Sequence, residues 1–147
     1  MDPLLWVVLE LRTGKVPALV DTGAQFSCIG ADIAEFLFLM GEPPTFAACS
    51  VSCALSDGQR YQVTDAMTLR VKLLSFSWRH EFKVLNGGPF PVTQGVDFFR
   101  RTNMLVNPAA KTCFFSFAPN KVCVFPGMTG ELRFNRSCRD CLRKPRL

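Results

Sequence analysis

The chain is poor in several residue types that carry chemistry. Among 147 residues there is one histidine, His80, one tyrosine, Tyr61, and two tryptophans. A single imidazole gives no His-rich metal cage, and no Ser or Cys constellation is evident around it. His80 therefore reads as a structural or surface residue of a strand. No segment reaches the run of about 18 apolar residues that a membrane-spanning helix needs. The apolar stretch Leu4 to Leu9 is short, and no basic residue precedes it, so it does not read as a secretory signal. The expectation is an intracellular protein with no membrane association. Seven cysteines make an odd count without framework spacing, which speaks against disulfides and for a reducing compartment. Cys138-x-x-Cys141 is half of a zinc or redox spacing. Neither Cys49 nor Cys53 completes it, so no metal and no cofactor is expected. Scattered cysteines in strand patterns read as small core residues.

What the chain does have is enough apolar material for one domain with a core: 48% hydrophobic residues, 14 of all residues being Phe, so that much of the packing should be aromatic. The net charge of +5 is uneven. Residues 131 to 147 hold six basic side chains against Glu131 and Asp140, which leaves +1 for the first 130 residues. The basic character belongs to a tail, not to the domain. The division expected is a domain over 1–125 and a loosely ordered basic tail over 126–147. That tail reads as a solvated end, a linker within a longer polyprotein, or a contact for RNA or a membrane surface.

Short strand patterns dominate. Leu4 to Leu9 and Val16 to Val20 flank an Arg12-Thr13-Gly14-Lys15 turn and form a hairpin. Phe26 to Ile29 reads as a returning strand broken by Gly30. Ala31 to Met40 is the clear helix, with Ile33, Phe36, Leu37 and Met40 at three- and four-residue spacing and Gly41 and Pro43-Pro44 ending it. Thr45 to Leu55 tolerates a strand. Ser56-Asp57-Gly58-Gln59 is a hairpin turn. Tyr61 to Val63 and Met67 to Leu73 alternate with period two. Phe76 to Leu85 follows, with Trp78, His80, Phe82 and Val84 on one face. Val92 to Gln94 reads as a strand, Gly95 as a turn and Val96 to Arg101 as a short helix. Met104 to Val106, Thr112 to Phe117 and Val122 to Phe125 complete the list. The Phe-rich stretch 114–125 suits a core and, in a dimer, also an interface. The fold class expected is all-β: a small closed or folded-over β domain with one clear and one short helix.

One stretch stands out against this background. Ala18-Leu19-Val20-Asp21-Thr22-Gly23-Ala24 runs an apolar strand directly into a carboxylate. A buried strand seldom ends in an acid without a use for it. Gly23 frees the backbone to turn, and Thr22 sets a hydroxyl beside the acid. By itself Asp-Thr-Gly also fits an ordinary strand-to-turn junction.

The order of elements resembles the retropepsin-like aspartic peptidases, especially those of retroviruses and gypsy-type long-terminal-repeat retrotransposons. Leu19-Val20-Asp21-Thr22-Gly23-Ala24 looks like the catalytic loop, and Ser56-Asp57-Gly58 like the tip of a flap. Val92-Thr93-Gln94-Gly95-Val96-Asp97-Phe98-Phe99 looks like the second apolar-apolar-Gly segment and the C-terminal helix, with closing strands to Phe115. The resemblance spans about residues 4 to 117. It departs from the family where Thr93 and Gln94 replace two aliphatic residues. One of the two should face the substrate pocket and the other the core, and a buried Gln without partners costs about 1–3 kcal/mol.

The resemblance implies an aspartic endopeptidase. Two carboxylates share one proton, because like charges about 3 Å apart cannot both ionise. This chain holds a single Asp-Thr-Gly, and Asp2, Asp32, Asp57, Asp65, Asp97 and Asp140 lack that setting. A second copy must supply the other acid, so a C2 homodimer is expected. Asp21, Thr22 and Gly23 are then the catalytic residues, and Ala24, Asp57, Gly58 and Thr93 the substrate-binding ones. The partners implied are a second copy and a peptide or polyprotein substrate, in the cytoplasm or within a virus-like particle. The other class left open is a non-catalytic dimerisation or binding module whose basic tail contacts nucleic acid or a partner.

Overall fold

The computed structural model describes residues 5–41, 45–55, 58–87 and 90–125. The basic tail, Asp57 and Cys138-x-x-Cys141 lie outside the described residues. Among the described residues, ten strands and two helices follow one another in the order the apolar patterning implies. Strand β1 (Leu5–Leu11) turns at Arg12-Thr13 into β2 (Gly14–Val20), the two pairing from Leu5↔Val20 to Leu11↔Gly14. The turn is thus tighter than the four residues expected, because Gly14 and Lys15 are already paired. Val7, Leu9, Val16 and Ala18 point inward from this hairpin.

The returning strand β3 (Cys28–Gly30) starts two residues later than the pattern suggested, since Ser27 spends its side chain on the loop described below. Helix α1 (Ala31–Leu39) follows. It buries Ile33, Ala34 and Leu37, while Met40, expected on the same face, is the exposed residue that ends it. Strands β4 (Thr45–Ala54) and β5 (Arg60–Leu73) form the long hairpin with Gly58 at its tip, where a φ of 81° calls for glycine. The two strand patterns expected over 61–73 are one continuous strand. Between Ala48 and Val51 β4 holds one residue more than β5 opposite it, a bulge that falls on β4 and leaves β5 unbroken through Thr64 and Asp65. Strand β6 (Phe76–Leu85) pairs back along β5.

Strand β7 (Val92–Gln94) leads through Gly95 into α2 (Val96–Thr102), closed by Asn103 in the left-handed region. Strands β8 (Met104–Asn107), β9 (Thr112–Phe115) and β10 (Cys123–Val124) form a separate three-stranded antiparallel sheet.

Six strands in the order β1-β2-β7-β3-β6-β5 close into a barrel when β5 returns to β1 at Glu10↔Lys72, and β4 stands outside as an extension of β5. The main core fills this barrel and continues through Phe98, Cys113, Phe115 and Phe125 to the small sheet. Phe115 makes ring contacts with Phe76 and Trp78, so the aromatic packing anticipated from the Phe content is concentrated here. Phe117 at the end of that run is exposed. A second, smaller core of Ala24, Cys28, Cys53, Leu55, Val63 and Leu85 joins the tip end of the β4–β5 hairpin to the Asp21 loop. No helix among the described residues is long and apolar enough to cross a membrane.

Candidate active site

Asp21 is the first residue beyond β2, at the point where that strand leaves its parallel partner β7. The pairs Leu19↔Thr93 and Val20↔Gln94 set the register, and the Asp21 N–H continues it by donating to the Gln94 carbonyl at 3.0 Å. The carboxylate then folds over its own turn. Its Oδ1 accepts from the Gly23 N–H at 2.9 Å, and the Ala24 N–H donates to the Asp21 carbonyl at 3.2 Å. Asp21 is 8% exposed, whereas Thr22 and Gly23 beside it are exposed and Ala24 is fully buried. A mostly covered carboxylate with one backbone donor, flanked by an open Thr-Gly, is held in direction and still reachable along one side.

The far side of the loop is fastened just as firmly. The Val96 N–H donates to the Ala24 carbonyl at 2.8 Å. At Gly95 the two loops touch: a Cβ there would lie 2.6 Å from the Phe26 carbonyl oxygen and 2.7 Å from that of Ala24. Only glycine allows this approach. Ser27 Oγ accepts from the Gly95 N–H at 3.0 Å, donates to Asp97 Oδ1 at 2.7 Å and lies 3.1 Å from His80 Nε2. His80 Nε2 is also 3.3 Å from Asp97 Oδ2. Burial pushes the Asp97 carboxyl up, but the hydrogen bonds from His80 and Ser27 outweigh it and hold the group below the usual carboxylate range.

A Ser, a His and an Asp thus meet, but not as nucleophilic machinery. Ser27 is fully buried, its hydroxyl proton is directed to Asp97, and no path leads substrate to it. The cluster is a clasp that joins the return from the Asp21 loop, strand β6 and the first turn of α2. It answers the expectation for His80: the residue is buried and structural, and it does have a serine partner. The link could not be read from the chain because Ser27 lies 53 residues from His80 and 70 from Asp97.

The structure brings Asp21, Thr22, Gly23 and Ala24 together in one turn and sets Thr93 in the neighbouring strand, opposite both Leu19 and Cys28. Gly58, at the tip of the long hairpin, donates its N–H to the Leu55 carbonyl at 3.1 Å, and Leu55 shares the small core with Ala24. Thr93 and Gln94 are both buried, at 2% and 0% exposure, and the side-chain amide of Gln94 has no partner at either end among the described residues. Among those residues no group of three or more His, Cys, Asp or Glu is placed to hold a metal ion.

No family model matches the sequence. No curated protein matches it either. Solved structures do. The retroviral protease-like domain of Ddi1 from Leishmania major superposes with a TM-score of 0.63 at 19% identity, over 88% of this chain and 97% of that one. A retropepsin-like aspartic protease from Rickettsia conorii matches with a TM-score of 0.48 and 15% identity, over 71% of this chain and 75% of its own. The foamy viral protease-reverse transcriptase, solved with an RNA/DNA hybrid, matches with a TM-score of 0.42 and 24% identity, over 68% of this chain and 12% of its own. The closed barrel, the Asp21 loop pinned against β7 and α2, and the Ddi1 likeness over 88% of the chain agree: the protein has the retropepsin-like fold.

Proposed function

We propose that the chain is an aspartic endopeptidase that works as a homodimer, with Asp21 of each copy facing its twin across a two-fold axis. The observation that carries this reading is the mostly buried Asp21 carboxylate, aimed by the Gly23 N–H in a turn whose backbone is fixed on both sides. In the dimer the two carboxylates share one proton. The ionised one takes a proton from a bound water, which attacks the scissile carbonyl carbon. The protonated one donates to the carbonyl oxygen, and collapse of the tetrahedral species passes a proton to the leaving amine. Thr22 braces the paired loops at the axis, Gly23 lets backbone approach substrate, and the buried Ala24 and Thr93 back the cleft from beneath the loop. The β4–β5 hairpin with Asp57 and Gly58 closes over substrate as a lid that excludes water.

The same proposal covers the context. The substrate is a peptide or polyprotein, met in the cytoplasm or within a virus-like particle, and residues 126–147 form a tail outside the 1–125 domain.

A second reading has one observation in its favour. The unpartnered buried amide of Gln94, beside the Asp21 register, is what an element no longer selected for activity would show. The chain would then be a non-catalytic dimerisation or binding module, its basic tail contacting nucleic acid or a partner. One experiment separates them. Incubated with an apolar peptide library between about pH 4 and pH 7, the wild-type chain should cleave, a pepstatin-type inhibitor should block it, and Asp21→Asn should be inert. Nucleic-acid binding without cleavage at any pH in that window supports the module instead.

A further inference from the structure

We propose that Cys113 and Cys123 form an oxidative modification site, a dithiol that closes to a disulfide across β9 and β10. The proposal is independent of the catalytic reading. Cys123 stands directly opposite Cys113 in the antiparallel ladder. Two residues along, the Phe125 N–H donates to the Lys111 carbonyl at 2.9 Å, so that pair is a hydrogen-bonded one. Ladder positions two apart share their type, which makes Cys113–Cys123 a hydrogen-bonded pair as well. Cα atoms in such pairs are about 5.5 Å apart. Disulfides favour Cα separations of about 5.5–6 Å. Opposed residues also project to the same face of the sheet, which sets the two thiols side by side. Closing the S–S bond then takes a small approach of the strands, from Cβ atoms about 4.5–5.5 Å apart across a ladder to about 3.5–4.5 Å in a disulfide.

The two sulfurs differ in the way a resolving pair requires. Cys113 is fully buried in the main core, whereas Cys123 is only partly buried against it. The Cys123 S–H points to the Val124 carbonyl oxygen at 3.9 Å, and a hydrogen bond between the two thiols lowers the pKa of Cys123 against the opposing effect of burial. The same bond, with burial, pushes Cys113 up. Cys123 is therefore the thiolate that an oxidant meets first. With hydrogen peroxide, the Cys123 sulfur attacks one oxygen, the O–O bond breaks, and hydroxide leaves and is protonated to water. The resulting sulfenic acid is attacked by the Cys113 sulfur. The S–S bond forms, the S–O bond breaks, and hydroxide departs with the Cys113 proton as a second water. Two thiols lose two electrons and one peroxide becomes two waters.

The other neighbouring thiols, Cys28 and Cys53, serve as an internal control. Both are buried, neither faces the other across a ladder, and burial raises both pKa values. A consequence for β10 follows. It is only two residues long, and it precedes Phe125, which sits in the main core. A covalent bond would strap this last described segment onto β9.

The test uses the full chain, reduced and then exposed to stoichiometric hydrogen peroxide. The intact mass should fall by about 2 Da, as the loss of two hydrogens requires. Proteolytic mapping without reductant should link Cys113 to Cys123, and the melting temperature should rise and return on reduction. Before oxidation, Cys123 should alkylate at least about tenfold faster than Cys28, Cys53 or Cys113, with a pH midpoint below the usual thiol value of about 8.5. In Cys113→Ala that midpoint should move back up. The proposal is overturned if the mapped link joins Cys123 to any other cysteine, if Cys123 accumulates as sulfinic acid with Cys113 still reduced, or if Cys113→Ala leaves the alkylation profile unchanged. The wild-type alkylation and mapping need no variant, so a Cys113→Ala chain that fails to fold does not rescue it.

Discussion

Replacing Gln94 by Met should stabilise the protein. Gln94 is fully buried, and both its Nε2 and Oε1 lack partners among the described residues. A buried polar group without a hydrogen bond costs about 1–3 kcal/mol. Met reaches as far as Gln and lacks only one arm of its terminal amide fork, so the swap changes volume little, at a cost below about 1.5 kcal/mol. The backbone bond from the Asp21 N–H to the Gln94 carbonyl is untouched by it. The net expectation is a gain of about 1–2 kcal/mol. For a chain of this size, that is a rise in melting temperature of roughly 2–8 °C. Urea unfolding should show the same gain as a higher midpoint with an unchanged slope. A loss of more than about 1 kcal/mol would refute the reasoning. It would mean that the amide is satisfied in solution, by water or by a second copy, and that Gln94 belongs to the working site. Measuring the variant at two protein concentrations separates those two partners, since only a second copy makes the loss depend on concentration.

Three further expectations follow from the loop's fastenings. Gly95→Ala forces a Cβ to within 2.6–2.7 Å of two backbone carbonyls, neither of which can swing aside. Chemical denaturation should show a loss of about 3 kcal/mol or more. Ser27→Ala leaves the Gly95 N–H without its acceptor inside the clasp, and a loss of about 2–3 kcal/mol should appear in the same assay. Asp97→Asn tests the clasp's charge. Because the folded-state pKa of Asp97 is depressed, its contribution is full above the unfolded value and is lost as pH falls through the folded one. The variant should therefore trail the wild type by about 1–2 kcal/mol near pH 7, and the gap should close as the pH drops below about 4. A gap that persists unchanged to pH 2 would mean that the carboxylate charge is not what matters.

The sequence carried the barrel's parts well because they depend on local patterns. Leu4 to Leu9 and Val16 to Val20 are apolar, β-prone runs on either side of a turn signal, and Gly95 with Asp97 marks the turn into α2. Where the chain misled, a non-local event was responsible. Thr64 and Asp65 look like a break, yet β5 runs on through them, and the irregularity in the pairing falls on the partner strand between Ala48 and Val51. Phe26 and Ser27 look like strand, yet the backbone bends so that the Ser27 hydroxyl can reach Gly95 and Asp97. His80 was legible as structural but not as a partner of Ser27 and Asp97, because nothing local reports a contact across 53 residues. Gln94 was the most informative mismatch. Its polarity at a position that calls for an aliphatic residue was visible at once, and only the fold shows that its amide is fully enclosed.

The central claim is that Asp21 is half of a site and that a second copy supplies the rest. It is tested most directly by mixing wild-type chain with Asp21→Asn chain and following peptide cleavage. The variant retains Oδ1 as acceptor for the Gly23 N–H, so it should fold and pair normally. With a tenfold excess of variant and random pairing, the fraction of wild-type chains paired with each other drops to about one in eleven. Activity per wild-type chain should fall by about elevenfold. Activity that is unchanged by the excess would show that each chain cleaves alone, and an absence of cleavage by the wild-type chain itself would contradict the account outright.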